Sequence, residues 1–179
     1  MSGEEIDQFV YEQCLKFKCY PSPLNYLGFP KCVTLSVNNV AIHGIPDVRR
    51  LVTGDILTVD VSVFHKGFHA DTALTLLIGK DRAIAHDRLD TNLVDSNVID
   101  LCGLNLIKTA RKCLAAGIEV CKAGVHLNEI GCAIEKAAEE GGFSVVPSVC
   151  GHSIGEYLHG PPQIVHCSYD EYTEGELID

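Results

Sequence analysis

The chain has 179 residues, 46% of them hydrophobic, and a formal charge of −10 at pH 7. That length and apolar content suffice for one sizeable buried core, while no apolar run approaches the roughly 20 residues that span a bilayer. Phosphate binding needs clustered Lys and Arg, so the acidic balance argues against a nucleic-acid partner.

In chain order, the opening residues Met1 to Glu5 are neither an apolar signal peptide nor an arginine-rich transit segment, which reads as a cytoplasmic protein. Residues 4–18 predict an amphipathic helix, with Ile6, Phe9, Val10, Cys14 and Phe17 inward and Ser2 with Glu5 as a capping box. Pro21 and Pro23 end it and open an irregular stretch. Residues 33–42 predict a strand and 56–78 a β-hairpin. The polar run 80–101 is expected as an inserted surface loop with at most one helical turn. Leu104, Ile107, Leu114, Ile118 and Cys121 recur at helical spacing and predict a second helix over 104–121. A third covers 127–140, closed by Gly141-Gly142, and residues 143–149 predict a strand leading to Gly151-His152. The nine cysteines hold no Cys-x-x-Cys pair and several fall in helical apolar patterns, so they read as buried thiols rather than zinc ligands or disulfides.

The hairpin carries the chemistry. Leu57, Val59, Val61 and Val63 alternate with Thr58, Asp60, Ser62 and Phe64, the period of a half-buried strand. If Lys66-Gly67 is a two-residue turn, Ser62 lies opposite Asp71 and Asp60 stands one diagonal step away. Both carboxylates then share the face opposite the valines, roughly 7–8 Å apart at the backbone. Two such charges repel unless a cation lies between them, and one divalent ion, or a pair about 3.5–4 Å apart, satisfies both. Read alone, the segment is equally two surface aspartates on a solvated face, and a turn one residue longer would send them to opposite faces. His69, on the Asp71 face, reads as a neighbour of such a site rather than a ligand.

Four further stretches stand in a fixed order: Tyr20-Pro21-Ser22-Pro23-Leu24-Asn25-Tyr26 with Gly28-Phe29-Pro30-Lys31, then Ser36-Val-Asn38-Asn39-Val-Ala-Ile-His43-Gly44-Ile-Pro46-Asp47, then Gly151-His152-Ser153-Ile154-Gly155, and His159-Gly-Pro-Pro. With the hairpin, this order resembles the methionine aminopeptidases, most closely their type I branch, over nearly the whole chain apart from about 81–100. The resemblance implies an α+β, pita-bread (creatinase/aminopeptidase) fold, a mixed antiparallel sheet covered by helices with an incomplete second half. It implies one metallopeptidase catalytic domain over 1–179, lacking the family's first helix and its C-terminal strands. A weak internal repeat agrees: Glu5-Ile6 and Glu129-Ile130 both open helices, and the second alone is preceded by another helix.

By the same resemblance, Asp60, Asp71 and His152 match three of the family's metal-ligand positions, for one or two divalent ions (Co, Mn, Fe, Ni or Zn). Both of the family's ligating glutamates would fall beyond Asp179, and Glu174 and Glu176 read as solvated groups beside a turn glycine. His43 and His159 match two non-ligand histidines that hydrogen-bond the reacting amide. Tyr26, Phe29 and Leu158 match the wall of a pocket for an unbranched thioether side chain, with His43 and His159 also contacting substrate. Thr34 stands where the family usually has Cys, and Ser153 where it has Gly. The implied function is removal of the N-terminal methionine from nascent polypeptides, with ribosome association as its setting. Two other readings stay open: a catalytically inactive pita-bread binding module or fragment, and a proline-specific or creatine-cleaving relative.

Overall fold

The computed structural model describes residues 1–80, 83–85 and 101–168. They form two compact units, one drawn from residues 1–100 together with Ile154–Leu158, the other from 101–153 together with the residues from His159 on.

In the first unit, helix α1 (Gly3–Phe17) starts on the expected capping box: Ser2 Oγ accepts from the Glu5 N–H, and the Glu5 carboxylate accepts from the Ser2 N–H at 2.6 Å. It ends at Lys18, whose left-handed φ of 56° lets the N–H groups of Lys18 and Cys19 reach the Leu15 and Cys14 carbonyls. The buried stripe is narrower than expected. Ile6 and Val10 pack on the core and Cys14 is buried, but Phe9 and Phe17 are 58% and 66% exposed. Phe9 points about 100° around the helix from Val10, and Phe17 lies in the last turn, past the buried Cys14.

Strands β1 (Tyr20–Pro21), β2 (Thr34–Val37), β3 (Ile56–His65), β4 (Phe68–Ile78) and β5 (Ala83–Ala85) form one antiparallel sheet in the order β1-β3-β4-β5, with β2 also paired to β3. β1 takes Phe64 and Val63, and β2 takes Asp60 to Leu57. The core lies on the apolar face, where Val33, Leu35 and Leu57 are buried and Ile6, Val10, Val59 and Val61 pack against them. The strand expected over 33–42 stops at Val37. Asn38 turns the chain at φ 54°, and its backbone and side chain bond Ile56 and Asp55 instead of continuing a ladder. Within the run expected as a loop, Ala83–Ala85 pairs with Leu76 to Ile78 because Ile84 can be buried there. Residues 81–82 and 86–100 lie outside the described residues.

Among the described residues, Asp55 is the buried ionic group of this unit. Burial pushes its carboxyl up, but donation from the Arg49 guanidinium, the Val52 N–H and the Asn38 amide outweighs this and holds it at about 2, below its ordinary 3.8. A depressed carboxyl contributes stability above its unfolded pKa and loses it as pH falls through the folded one. With Arg49 44% exposed and screened by water, the contribution is about 1–2 kcal/mol. Urea midpoints measured between pH 4 and pH 2 should therefore fall more steeply for the native protein than for Asp55→Asn.

In the second unit, α2 (Leu101–Val120) and α3 (Asn128–Glu140) pack at Gly117, where an added Cβ would meet Ile134 at 3.1 Å. Strands β6 (Cys150–Ser153) and β7 (Gly160–Val165) form a two-stranded antiparallel sheet. α3 lies so close to the chain around β7 that a Cβ on Gly131 would stand 2.8 Å from the Val165 carbonyl oxygen. The strand expected over 143–149 does not form. Pro147 has no N–H to give, and Val149 donates to Val146 at 3.2 Å across a turn with Pro147 in its second position. Among the cysteines, Cys14, Cys32 and Cys167 are buried but Cys102 and Cys121 are exposed, so burial holds for only part of the set. Every strand pair among the described residues is antiparallel, and runs of strands alternate with runs of helices along the chain, as in the α+β class.

Candidate metal centre

The register of the hairpin is the one that brings the aspartates together. Lys66 and Gly67 both take positive φ, 50° and 94°, and join His65 to Phe68 as a two-residue turn. Ser62 therefore pairs with Asp71 and Asp60 with Ala73, so the two carboxylates stand diagonally on the face away from Leu57. β2 places Thr34 directly opposite Asp60 on that face. Thr34 Oγ1 donates to the Asp60 carboxylate at 3.3 Å, and Ser62 Oγ donates to Asp71 at 2.7 Å. Both hydroxyl residues are buried, Asp60 is half-buried, and Asp71 is exposed.

A second polar pair borders this one. Ser22 Oγ and His69 Nδ1 are 2.9 Å apart, the Ser22 N–H donates to the Ser62 carbonyl at 3.0 Å, and the His69 N–H donates to the Gly155 carbonyl at 2.7 Å. His69 is thus held at ring and backbone. Sequence reasoning missed Ser22 and the donor roles of Thr34 and Ser62. The signal for Ser22 was available, since prolines on both sides fix its backbone.

The remaining first-unit residues lie outside the sheet. His43 is exposed, with a left-handed φ of 55°. Its neighbour Gly44 is clamped to β2: the Leu35 N–H donates to the Gly44 carbonyl at 2.8 Å, and the Gly44 N–H donates to Ser36 Oγ at 3.3 Å. Tyr26 is exposed and Phe29 half-buried, in a stretch where Asn25 and Leu27 also have positive φ. Leu158 is buried.

In the second unit, His152 pairs with Gln163, and a bulge follows before Ser153. His152 Nδ1 lies 3.0 Å from the Ser153 carbonyl. A carbonyl only accepts, so the proton is assigned to Nδ1 and the lone pair to Nε2, the tautomer a metal takes. The His159 ring meets the His152 ring edge-on at 4.4 Å between centroids. His152 and His166 also line an apolar groove of about 530 Å3 walled by Leu114, Ile118 and Ile134. Burial lowers the His166 pKa, which keeps that ring neutral near pH 7.

Two carboxylates on one sheet face are a donor pair that suits a divalent ion, and an imidazole whose Nδ1 is already committed offers the nitrogen a metal takes. The structure places the Asp pair in the first unit and His152 with His159 in the second, and among the described residues no three or more His, Cys, Asp or Glu side chains are gathered into one group. Glu174 and Glu176 lie outside the described residues.

Comparison with known proteins gives the following. Residues 1–178 match the family described as Metallopeptidase family M24. Methionine aminopeptidase 1D, mitochondrial, of Homo sapiens is 42% identical over 170 residues, covering 95% of this chain and 45% of that protein. Methionine aminopeptidase 1 of Dictyostelium discoideum is 43% identical over 168 residues, 94% of this chain and 41% of its own length. The crystal structure of methionine aminopeptidase from Rickettsia prowazekii superposes with a TM-score of 0.83 at 29% identity, over 99% of this chain and 65% of that one. The chain spans somewhat under half the length of these curated relatives.

Proposed function

Since the chain belongs to Metallopeptidase family M24 and has the pita-bread fold of the aminopeptidases it superposes on, we propose that it acts as a metal-dependent aminopeptidase removing the N-terminal methionine from nascent polypeptides. The observation that carries this reading is the β3–β4 register, which puts Asp60 and Asp71 on one face with Ser62 and Thr34 beside them. Asp60, Asp71 and His152 would hold one or two divalent ions of the Co, Mn, Fe, Ni or Zn class. When bound, such an ion would supply Lewis-acid polarisation of a carbonyl and would lower the pKa of water toward neutrality.

The protein's own groups do the rest. The two carboxylates balance the ion's charge, and the Nδ1 bond to the Ser153 carbonyl keeps His152 in the ligating tautomer. His43 and His159 orient the scissile amide and hydrogen-bond the oxygen and nitrogen whose charge changes in the reaction. Tyr26, Phe29, Thr34 and Leu158 supply contact for a methionine side chain, with discrimination against shorter side chains worth about 1–3 kcal/mol per missing methylene.

Purified protein supplied with Mn or Co should release methionine from Met-Ala-Ser, lose that activity with a chelator, and leave Ala-Ala-Ser intact. Cleavage of Xaa-Pro peptides without methionine release would instead assign the proline-specific branch of the fold. Tight metal binding without either cleavage would leave a binding module.

A further inference from the structure

We propose that Thr34 and Ser62 are positioning residues that aim the two metal-binding carboxylates. The proposal rests on the reading of Asp60 and Asp71 as ligands and adds what holds them. The motif is repeated. In each case a hydroxyl residue stands directly opposite an aspartate across the ladder and on the same face: Thr34 on β2 opposite Asp60 on β3, and Ser62 on β3 opposite Asp71 on β4. In each case the hydroxyl donates to the carboxylate, at 3.3 and 2.7 Å. Both hydroxyl residues are nearly closed to water, at 7% and 6% exposure, so each needs a protein partner and finds one on the aspartate.

Such a bond does two things for a cation site. A carboxylate offers about four lone-pair positions on two oxygens, so one hydroxyl fixes its rotation without consuming its capacity to ligate. Two like charges on one face also repel, and a donor aimed at each eases that repulsion while no ion is bound. Both effects spare the site the reorganisation that metal binding would otherwise demand.

The test is Mn2+ binding by the purified protein, read from loss of the free-ion EPR signal, beside kcat and KM for Met-Ala-Ser and a thermal melt. Ser62→Ala and Thr34→Val should each weaken Mn2+ binding by about 10–100-fold with little change in melting, while Ser62→Thr and Thr34→Ser restore it. Should Ser62→Ala fail to fold, Ser62→Cys keeps the volume with a weaker donor and should show the same loss. Asp71→Asn separates the two readings. If Asp71→Asn loses Mn2+ while the hydroxyl variants bind like the native protein, the positioning role is overturned and the metal centre stands. If Asp71→Asn binds Mn2+ unchanged, the metal centre itself fails and the positioning role with it.

Discussion

Asp71→Asn should lower kcat/KM for methionine release by about a thousandfold or more. A Lewis-acid ion contributes several kcal/mol to the transition state, and each 1.36 kcal/mol is a factor of ten in rate. Asn keeps the shape and the ability to accept from Ser62 but lacks the charge that balances a divalent ion. Asp71 is exposed on β4, and among the described residues its carboxylate accepts only the Ser62 hydroxyl, so the fold should survive and the circular dichroism spectrum should match that of the native protein. Steady-state kinetics across a Mn titration check both halves of the expectation. Full activity in Asp71→Asn at any Mn concentration would remove this residue from the centre.

Gly44→Ala should be the most damaging single methyl in the first unit. An added Cβ would stand 2.1 Å from the Leu35 carbonyl oxygen and 2.8 Å from its carbon, a collision with backbone that no rotamer relieves. Either the loop carrying His43 must lift or β2 must shift, and overpacking of this kind costs about 3 kcal/mol, a fall in Tm of roughly 6–12 °C at this chain length. Because β2 carries both Leu35 in the core and Thr34 beside Asp60, methionine release should fall as well. Gly155→Ala is the control: its added Cβ meets nothing within 4 Å, and its melt should stay within about a degree of the native protein. Equal melting temperatures for the two variants would show that the Gly44 contact can relax.

The parts of this structure legible in the sequence were those set by local periodicity and turn chemistry. The hairpin followed from alternation plus Lys66-Gly67, and α1 from Ser2 and Glu5, each to within a residue or so. What could not be read depended on partners distant in sequence. The helical pattern marked Phe9 and Phe17 as apolar without saying where the sheet beneath them stops. Residues 143–149 are rich in valine and suggested a strand, yet Pro147 closes a turn there. The donation from Thr34 to Asp60 required the pairing of β2 with β3, elements separated by the whole loop from Asn38 to Asp55. The residues proposed to bind metal were readable only through motifs, because two aspartates on a polar strand face have the same periodicity whether they bind an ion or water.

The two faces of β3 impose different kinds of evolutionary constraint on neighbouring codons. At Leu57, Val59 and Val61, which meet the core, drift is limited by volume, so one aliphatic residue can replace another of similar size. At Asp60 and Ser62, drift is limited by charge and donor capacity. Tolerance along this strand should therefore switch at every residue, and a lineage that abandoned the chemistry would be expected to scramble the even positions while keeping the odd ones.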